Sequence, residues 1–201
     1  MNCANCGAAM ELIESRRYFY CRHCGSFHFP EPADTEGIRI VGRTVDGPSC
    51  PVCKAPLAQA LLDDTHPVHF CATCRGVLMP RQTFAGVVNV RRAWASNPPV
   101  EPRPLDQRAL ERELSCPSCG ARFTTHPYYG PGNVVIDSCE TCDVVWLDFG
   151  ELKQIADAPG SDRGGRNRAM GDEDSIPRRF GQDGELLTAE DPLDFLFSLL
   201  P

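Results

Sequence analysis

The cysteines constrain the fold of this chain more strongly than any other feature, because all of them fall into Cys-x-x-Cys pairs. The chain has 201 residues and 12 cysteines. Consecutive pairs follow one another at separations typical of four-cysteine zinc sites, and the arrangement repeats along the chain. The pattern therefore predicts three separate metal sites. The predicted ligands are Cys3, Cys6, Cys21 and Cys24, then Cys50, Cys53, Cys71 and Cys74, then Cys116, Cys119, Cys139 and Cys142.

Metal binding is favoured over disulfide formation by the predicted compartment. The N-terminal sequence MNCANCGAAM lacks the apolar stretch of a secretory signal, and no apolar run reaches membrane-spanning length. We therefore expect a cytoplasmic protein, in which thiols stay reduced. Four thiolates around one ion leave no open coordination position, which is typical of structural zinc. We predict three zinc ions, one for each set, with iron as the alternative metal for a four-sulfur site.

Each set is expected to fold as a zinc ribbon, a hairpin held between two Cys-x-x-Cys turns. MELIE and RYFYC predict the two strands of the first repeat, and ARFTTH and VVIDSC predict those of the third. Glycine follows the second cysteine of the pair at Gly7, Gly25 and Gly120, where a tight backbone conformation is needed. The apolar content of one such unit is too small for it to fold alone. We therefore expect metal binding to supply most of its stability.

A strand and a helix are predicted directly after the third set. DVVWL fits a third strand whose Trp146 covers the zinc side, and ELKQIA has helical spacing. Asp148 and Glu151 have the spacing of a capping box, in which both side chains accept hydrogen bonds from backbone N–H groups. The expected role of these two carboxylates is therefore structural rather than acid–base catalysis.

The second repeat predicts a similar strand and helix, whereas the first repeat does not. In the second, a strand that ends at Met79 is followed by Pro80 and by a helix with a core-facing stripe. The stripe comprises Phe84, Val87, Val88 and Arg91. In the first, two prolines occupy the place where the helix should begin. A loop and then a strand at IRIVGR are expected there.

The third repeat resembles a known family of ribbons. Its sequence CPSCG…CETCDVVWLDFGELKQI is similar to the bacterial transcription factor IIB-type zinc finger proteins. Val144 stands where that family usually has glycine, which predicts a tighter turn into the strand. The second repeat resembles the family through CPVCKAPL…CATCRGVLM, and the first only through its cysteines. The resemblance implies zinc binding, a ribbon fold and an association with transcription. The matching residues are Trp146, Leu147, Asp148, Gly150, Glu151 and Leu152.

These elements predict a small, metal-stabilised, mainly β protein with short helices. Three tandem four-cysteine ribbons precede a disordered tail that ends in a short amphipathic helix. SNPPVEPRP predicts a stiff linker, and LDQRALEREL predicts a short charged helix after it. The predicted boundaries are 1–45 for ribbon 1, 46–96 for ribbon 2 with its helix, 97–115 for the linker and short helix, 116–158 for ribbon 3 with its capped helix, 159–188 for the disordered segment and 189–201 for the C-terminal motif.

The C-terminal motif is predicted to be a docking element. In EDPLDFLFSLLP, Asp191 is the predicted cap and Pro192 the first helical residue. A helix this short is not stable alone, so it must pack on something. It could cover an apolar patch on its own ribbons, pair with a second copy of the chain, or dock into a groove on a partner protein. The residues of its apolar face are Leu193, Leu196, Phe197 and Leu200.

The best candidate for nucleic-acid contact is one face of the second strand of ribbon 1. Strand alternation predicts that this face contains Arg16, Tyr18, Tyr20 and Arg22. Basic groups interleaved with aromatic rings suit phosphates and stacked bases. The alternative interpretation, which the net charge of −7 favours, is that the rings fill a small core. Arg91 and Arg92 are a second and weaker basic candidate.

The predicted function is that of a non-enzymatic adaptor, because the sequence contains no nucleophile–base pair, phosphate-binding loop or dinucleotide signature. His66 and His69 have a ligand-like spacing, but no further ligands remain for them, so we expect a solvated loop. We expect the ribbons and the C-terminal motif to bind proteins, in association with transcription and away from membranes. A nucleic-acid-binding protein is the first alternative, and a thiol redox or zinc-release sensor is the second. The oligomeric state stays open.

Overall fold

The polypeptide folds into two antiparallel sheets, seen here in a computed structural model of the protein. The structure describes residues 1–30, 32–43, 47–165, 192–198 and 200. Ribbon 1 forms the smaller sheet from β1 (Glu11–Ile13), β2 (Tyr18–Tyr20) and β3 (Phe27–His28). β1 and β2 pair as the predicted hairpin.

A seven-stranded sheet contains both other ribbons, in the order β4-β5-β6-β7-β10-β9-β8. β7 and β10, the third strands of ribbons 2 and 3, pair with each other. β4, which was expected to end ribbon 1, pairs instead with β5 of ribbon 2. Ribbons 2 and 3 therefore form one continuous unit, although the predicted boundaries separate them. The strands are β4 (Ile38–Arg43), β5 (Ala58–Leu62), β6 (His66–Phe70), β7 (Val77–Pro80), β8 (Thr124–Pro127), β9 (Val135–Cys139) and β10 (Val144–Leu147).

Two helices cover one face of the long sheet, and the cysteines of ribbons 2 and 3 lie on the other. α1 (Arg81–Ala93) follows β7, and α2 (Glu151–Asp157) follows β10. Along β10, Val145 packs on the helix side and Trp146 on the cysteine side, as strand alternation requires. The helix-side core consists of Ile38, Ala60, Leu62, Val68, Phe70, Val77, Met79, Phe84, Val87, Val88, Val134, Ile136, Val145, Leu147, Leu152 and Ile155.

This helix-side core shows how ribbons 2 and 3 supplement the small apolar content of a single ribbon. Each ribbon alone has only one sheet face and one helix stripe. Pairing β7 with β10 joins the two faces and brings α1 and α2 together over them. The apolar surface that each ribbon could not bury alone is buried against the other.

The start of α2 shows one half of the predicted capping box and corrects the other half. The Glu151 carboxylate accepts a hydrogen bond from the backbone N–H of Asp148 at 2.7 Å. The cap position itself is Gly150, whose left-handed φ of 86° suits glycine, and no side chain bonds to the helix N–H groups there. The Asp148 carboxylate accepts instead from Trp146 and Arg112. The charged guanidinium of Arg112 is a stronger donor than a backbone N–H group, so the Asp148 carboxylate bonds to Arg112 rather than to the helix backbone.

The segments around ribbon 3 are more compact than predicted. The charged helix predicted at LDQRALEREL is reduced to a 3₁₀ turn at Ala109–Glu111. Residues 159–165 begin the segment predicted to be disordered, but hydrogen bonds from Arg163 to the carbonyls of Ala156 and Asn97 hold them. The remainder of that segment, 166–188, lies outside the described residues. Among the described helices, none combines the length and apolarity needed to cross a bilayer.

The C-terminal motif forms a helix, α3 (Pro192–Ser198), that packs on the chain itself. Leu193 is fully buried and Phe197 is 7% exposed. Leu200 is partly buried, and the side chain of Leu196 lies outside the described part of the chain. Of the three interpretations of this motif, the structure therefore shows the one in which it covers an apolar patch on its own ribbons.

Candidate metal centres

Each four-cysteine set gathers its sulfur atoms around one point. Within a set, all Sγ atoms lie within 4.8 Å of one another. The Sγ atoms of Cys53 and Cys71 are 3.4 Å apart, and those of Cys119 and Cys139 are 3.6 Å apart. Sulfurs placed tetrahedrally about 2.3 Å from zinc are separated by about 3.8 Å, whereas a disulfide bond is about 2.0 Å long. The three sets therefore fit three zinc ions, as predicted.

The Cys-x-x-Cys turns share a backbone conformation in which the residue after the second cysteine has a left-handed φ. In three turns this residue is the predicted glycine, with φ of 76°, 71° and 76° at Gly7, Gly25 and Gly120. The other three turns reach the same conformation without glycine, at Lys54, Arg75 and Asp143. The turn is therefore imposed by the requirement to direct both sulfurs to one side, and glycine only makes it easier.

The electrostatics of the third set favour a bound cation. The backbone N–H of Ala121 and the nearby thiol of Cys142 lower the pKa of Cys119 to about 7. The hydrogen bond with Cys119 raises the pKa of Cys142 to about 12. One thiol therefore ionises at the expense of its neighbour, because adjacent thiolates repel each other. A zinc ion removes that conflict and links the turns, and its binding releases the remaining protons.

One aromatic side chain fills the space between the second and third centres. Trp146 is fully buried in a cluster that includes the sulfurs of Cys50, Cys71, Cys116 and Cys139. A Cβ atom on Gly76, which follows the last turn of ribbon 2, would lie 2.1 Å from Cζ2 of this indole. Trp146 of ribbon 3 therefore occupies the space left by the missing side chain in ribbon 2.

The packing around Trp146 explains why ribbon 3 departs from the family pattern. Gly76 and Val144 are equivalent, since each lies two residues after the last cysteine of its ribbon. Trp146 and Leu78 are likewise equivalent, and they lie directly opposite each other where β7 pairs with β10. Trp146 is therefore diagonal to Gly76 across the two strands, and Leu78 is diagonal to Val144. Both diagonal pairs are within side-chain reach. The larger Trp146 faces glycine and the smaller Leu78 faces valine, so Val144 reflects complementary packing between two ribbons.

A buried polar network joins the linker to ribbon 3. Arg112 donates to the carboxylates of Asp137 on β9 and Asp148 after β10. Asp137 is fully buried, and the indole N–H of Trp146 donates to Asp148 at 3.0 Å. Burial raises the pKa of Glu151, the next carboxyl in this network, to about 8. The network holds the linker against the third ribbon beside the tryptophan that separates the metal centres.

The two arginines at the end of α1 do not form an open basic surface. Arg92, rather than the predicted Arg91, is the buried member of the helix stripe. Arg92 donates to the carbonyls of Ile155 and Ala158 at 2.6 and 2.9 Å and also pairs with Asp162. A cation at the C-terminal end of α2 is favourable for the helix dipole. Arg91 is held by an ion pair with a carboxylate of ribbon 2. Both guanidinium groups therefore link elements of the protein.

The predicted nucleic-acid face of ribbon 1 is largely occupied by contacts within the protein. Tyr18 is fully buried and Tyr20 is partly buried. Arg16 pairs with Asp194 of α3, and Arg22 pairs with a glutamate of β1. A buried tyrosine cannot stack on a base, so the rings act as the core of ribbon 1, which was the alternative interpretation of this pattern.

His66 and His69 lie on β6 rather than in the predicted solvated loop. His69 is 8% exposed, and its Nδ1 has no hydrogen-bond partner within the described residues. Burial lowers the pKa of both imidazoles. Neither ring belongs to a metal-binding group in the part of the chain that the structure describes. The two histidines are therefore half-buried or buried strand residues.

Three residues that join parts of the protein were not assigned that role from the sequence. Gly76 occupies the glycine position of the family pattern, and that match could have indicated close packing. Arg92 continues the helical spacing of the buried stripe beyond Val88, which could have indicated burial. Arg112 carried no such signal, because its partners on β9 and β10 are distant in sequence.

Comparison with known protein families gives a match to the third ribbon. Residues 115–158 match the family model of the transcription factor zinc-finger, the TFIIB-type zinc ribbon. This region is therefore a TFIIB-type zinc ribbon, as the resemblance implied, and the two other ribbons are supported by their four-cysteine geometry. No curated protein and no solved structure matches this chain.

Proposed function

We propose that this protein is a non-enzymatic cytoplasmic adaptor whose zinc-stabilised ribbons present surfaces to partner proteins. The observation that supports the proposal is that all three metal centres are closed. Each offers four cysteine ligands to one ion, which leaves no position for water or substrate. Outside these sets, the described residues contain no other group of side chains arranged to hold a metal ion. The zinc ions then serve to hold surfaces in place.

An association with transcription is supported by ribbon 3 alone. The family that matches residues 115–158 is described as a transcription factor zinc-finger. A fold of this kind supports unrelated functions, so the family does not assign the role. The net charge of −7 opposes contact with DNA or RNA. We therefore place the proposed contact with protein components of a transcription complex.

Affinity capture with nuclease treatment tests this function. Full-length protein should retain a reproducible set of proteins after DNA and RNA are digested. A Cys71→Ser/Cys139→Ser variant, which loses one ligand from each of the second and third centres, should lose those proteins that bind the joined ribbons. The matched control is Ser49→Ala/Ser115→Ala, which changes one exposed residue beside each of the same two centres and leaves both ligand sets intact.

The outcome of the capture decides between the proposed function and its alternatives. If nuclease treatment removes every captured protein, nucleic-acid binding replaces the adaptor proposal. If nothing is retained by either form, the adaptor proposal fails. The redox alternative has a separate readout: zinc release at low peroxide concentration that is reversed by reductant and metal. All twelve cysteines already belong to ligand sets, so no additional thiol favours that alternative.

A further inference from the structure

The groove under α3 is formed where ribbon 1 meets the long sheet. Tyr18 of β2 is fully buried there, and Val41 of β4 and Leu61 of β5 form the opposite side. Leu193 and Phe197, one helical turn apart, fill the space between them. We call this site the junction groove. α3 therefore bridges the two sheets at a point where their side chains already share one core cluster.

The junction groove selects its occupant by charge as well as shape. Arg16, in the turn between β1 and β2, pairs with Asp194, the residue after the first apolar anchor. The Arg16 side chain is 16% exposed, whereas that of Asp194 is 56% exposed, so the ion pair lies at the rim. An occupant must therefore present two apolar side chains four residues apart and a carboxylate next to the first.

α3 covers the junction groove only in part. It spans seven residues, and a helix of that length is not stable in isolation. Ile13, Tyr20, Phe27 and Phe29 pack around the buried anchors but are only partly buried themselves. A longer apolar helix face would cover more of these side chains than α3 does. The contact is therefore suited to exchange.

We propose that the junction groove is a docking site for a short amphipathic helix of a partner protein, and that α3 is its built-in competitor. This inference rests on the proposed adaptor function and names the class of ligand. The ligand carries apolar residues at positions i and i+4 and an acidic residue at i+1. When it displaces α3, the bridge between ribbon 1 and the long sheet passes from the chain's own tail to the partner.

A partner helix is favoured over a second copy of the chain by mass action. α3 is covalently attached to the protein, so its binding to the junction groove is intramolecular and is not diluted as binding by a separate chain is. The α3 of a second copy has the same anchors and makes no contact that the chain's own α3 does not make. At micromolar protein concentrations it is therefore outcompeted by the chain's own α3. A helix that also covers the partly buried rings has additional contacts with which to compete.

A peptide-binding experiment on the full chain tests the inference. The receptor is the full-length Leu193→Asp/Phe197→Asp variant, in which the resident helix can no longer fill the groove. The probe is a fluorescein-labelled peptide of residues 189–201, followed by fluorescence anisotropy. An unlabelled helix that keeps the Leu193, Asp194 and Phe197 pattern and continues its apolar face for one more turn should displace the probe at a lower concentration than the unlabelled 189–201 peptide does. We expect saturable binding to this receptor and at least about tenfold weaker apparent binding to the wild-type protein, because the tethered helix competes.

A charge exchange tests the specificity of the site. Arg16→Glu in the same receptor should weaken the probe about fivefold or more, and a probe with Asp194→Arg should recover most of that loss. Arg108→Glu makes the same charge change at an exposed position in the linker and should leave binding unchanged. Recovery by the second charge change separates a direct contact from a folding defect of the Arg16→Glu receptor.

Three results would overturn the inference. The first is no binding of the probe to a receptor that retains its three zinc ions and its sheet. The second is equal binding to the wild-type protein and the double variant, which would place the probe elsewhere. The third is a concentration-dependent wild-type dimer that the double substitution abolishes, which would assign the groove to a second copy. None depends on capturing a partner, so the inference can fail while the adaptor proposal stands.

Discussion

Ribbon 1 and the joined pair of ribbons 2 and 3 begin from the same four-cysteine turns and reach different structures. Ribbon 1 has a separate sheet of three very short strands. Ribbons 2 and 3 share a sheet of seven strands and a core covered by two helices. The difference lies after the last cysteine of each set. In ribbons 2 and 3 the last cysteine is followed by a four-residue third strand and then by a helix. In ribbon 1 it is followed by a two-residue strand and a proline-containing loop.

The comparison teaches that a zinc site organises a hairpin but does not decide how the hairpin is buried. The paired third strands bring two apolar faces together, so ribbons 2 and 3 combine metal binding with hydrophobic burial. Ribbon 1 relies on its metal, its aromatic rings and a helix from the far end of the chain. We therefore expect the two parts of the protein to respond differently to the same kind of damage.

Removal of zinc should have the largest effect on stability. Structural zinc contributes on the order of 10–16 kcal/mol in small zinc-binding peptides, and chelation would also leave thiols buried without a cation. Native mass spectrometry should show three zinc ions per chain under reducing conditions, and a strong chelator should abolish the cooperative melting transition. A compact species that still melts cooperatively without metal would refute this expectation.

Substitution of a single metal ligand should affect hydrogen exchange differently in the two parts of the protein. Cys21→Ser should increase amide exchange in ribbon 1 and α3 while the long sheet stays protected. Cys71→Ser should increase exchange in ribbon 2 and also across β9 and β10, because these strands share the sheet. Hydrogen exchange followed by mass spectrometry measures both. If Cys71→Ser leaves ribbon 3 as protected as in the wild-type protein, the joined unit is not cooperative.

Substitutions in the contact between Gly76 of ribbon 2 and Trp146 of ribbon 3 should have the next largest effect on stability. Gly76→Val places a side chain in the volume of the Trp146 ring and should cost about 3 kcal/mol or more. Trp146→Leu alone should cost a similar amount because it leaves a cavity. The double variant copies the neighbouring Leu78 and Val144 arrangement, so its cost should be less than the sum of the two. Chemical denaturation of the zinc-loaded proteins measures all three, and simple additivity would rule out this contact.

The two arginines of α1 should contribute differently to stability, because Arg92 is buried and Arg91 is more exposed. Arg92→Met removes hydrogen bonds to two carbonyls of the α2 end and to Asp162, with an expected loss of about 2 kcal/mol. Arg91→Met, which breaks a more exposed ion pair, should cost less than about 1 kcal/mol. Thermal or denaturant unfolding compares them directly. Equal effects would show that the buried guanidinium is not what joins the two helices.

Titration of Glu151 should give the smallest effect. Burial raises the pKa of this carboxyl to about 8, so it is protonated in the folded protein over a range where the unfolded chain is ionised. Its contribution to stability is complete below its ordinary pKa of 4.5 and is lost as the pH rises through about 8.

Glu151→Gln should therefore flatten the pH dependence of unfolding between about pH 4.5 and about pH 8 and stabilise the protein above that range. Glu140→Gln is the control, since it neutralises an exposed carboxylate in the same ribbon. Denaturant unfolding at several pH values with zinc bound supplies the measurement. A parallel profile for wild type and Glu151→Gln would show that this carboxyl does not titrate in that range.

The amino-acid sequence by itself determined the local units of this protein. Metal-ligand spacing places both members of a Cys-x-x-Cys pair on one side of a turn, so the three four-cysteine sets follow from residues close together in the chain. The hairpins, α1 and the Glu151 half of the helix cap follow for the same reason. All of these depend on interactions within a single ribbon, which metal-ligand spacing, periodicity and turn chemistry indicate directly.

Only the tertiary structure decided how those units are joined. The pairing of β7 with β10, the fit of Trp146 over Gly76, the burial of Arg92 and the position of α3 each depend on residues far apart in the sequence. An apolar stripe reports that a face is buried, but not which surface buries it. Here that surface was the neighbouring ribbon for ribbons 2 and 3, and the chain's own C-terminal helix for ribbon 1.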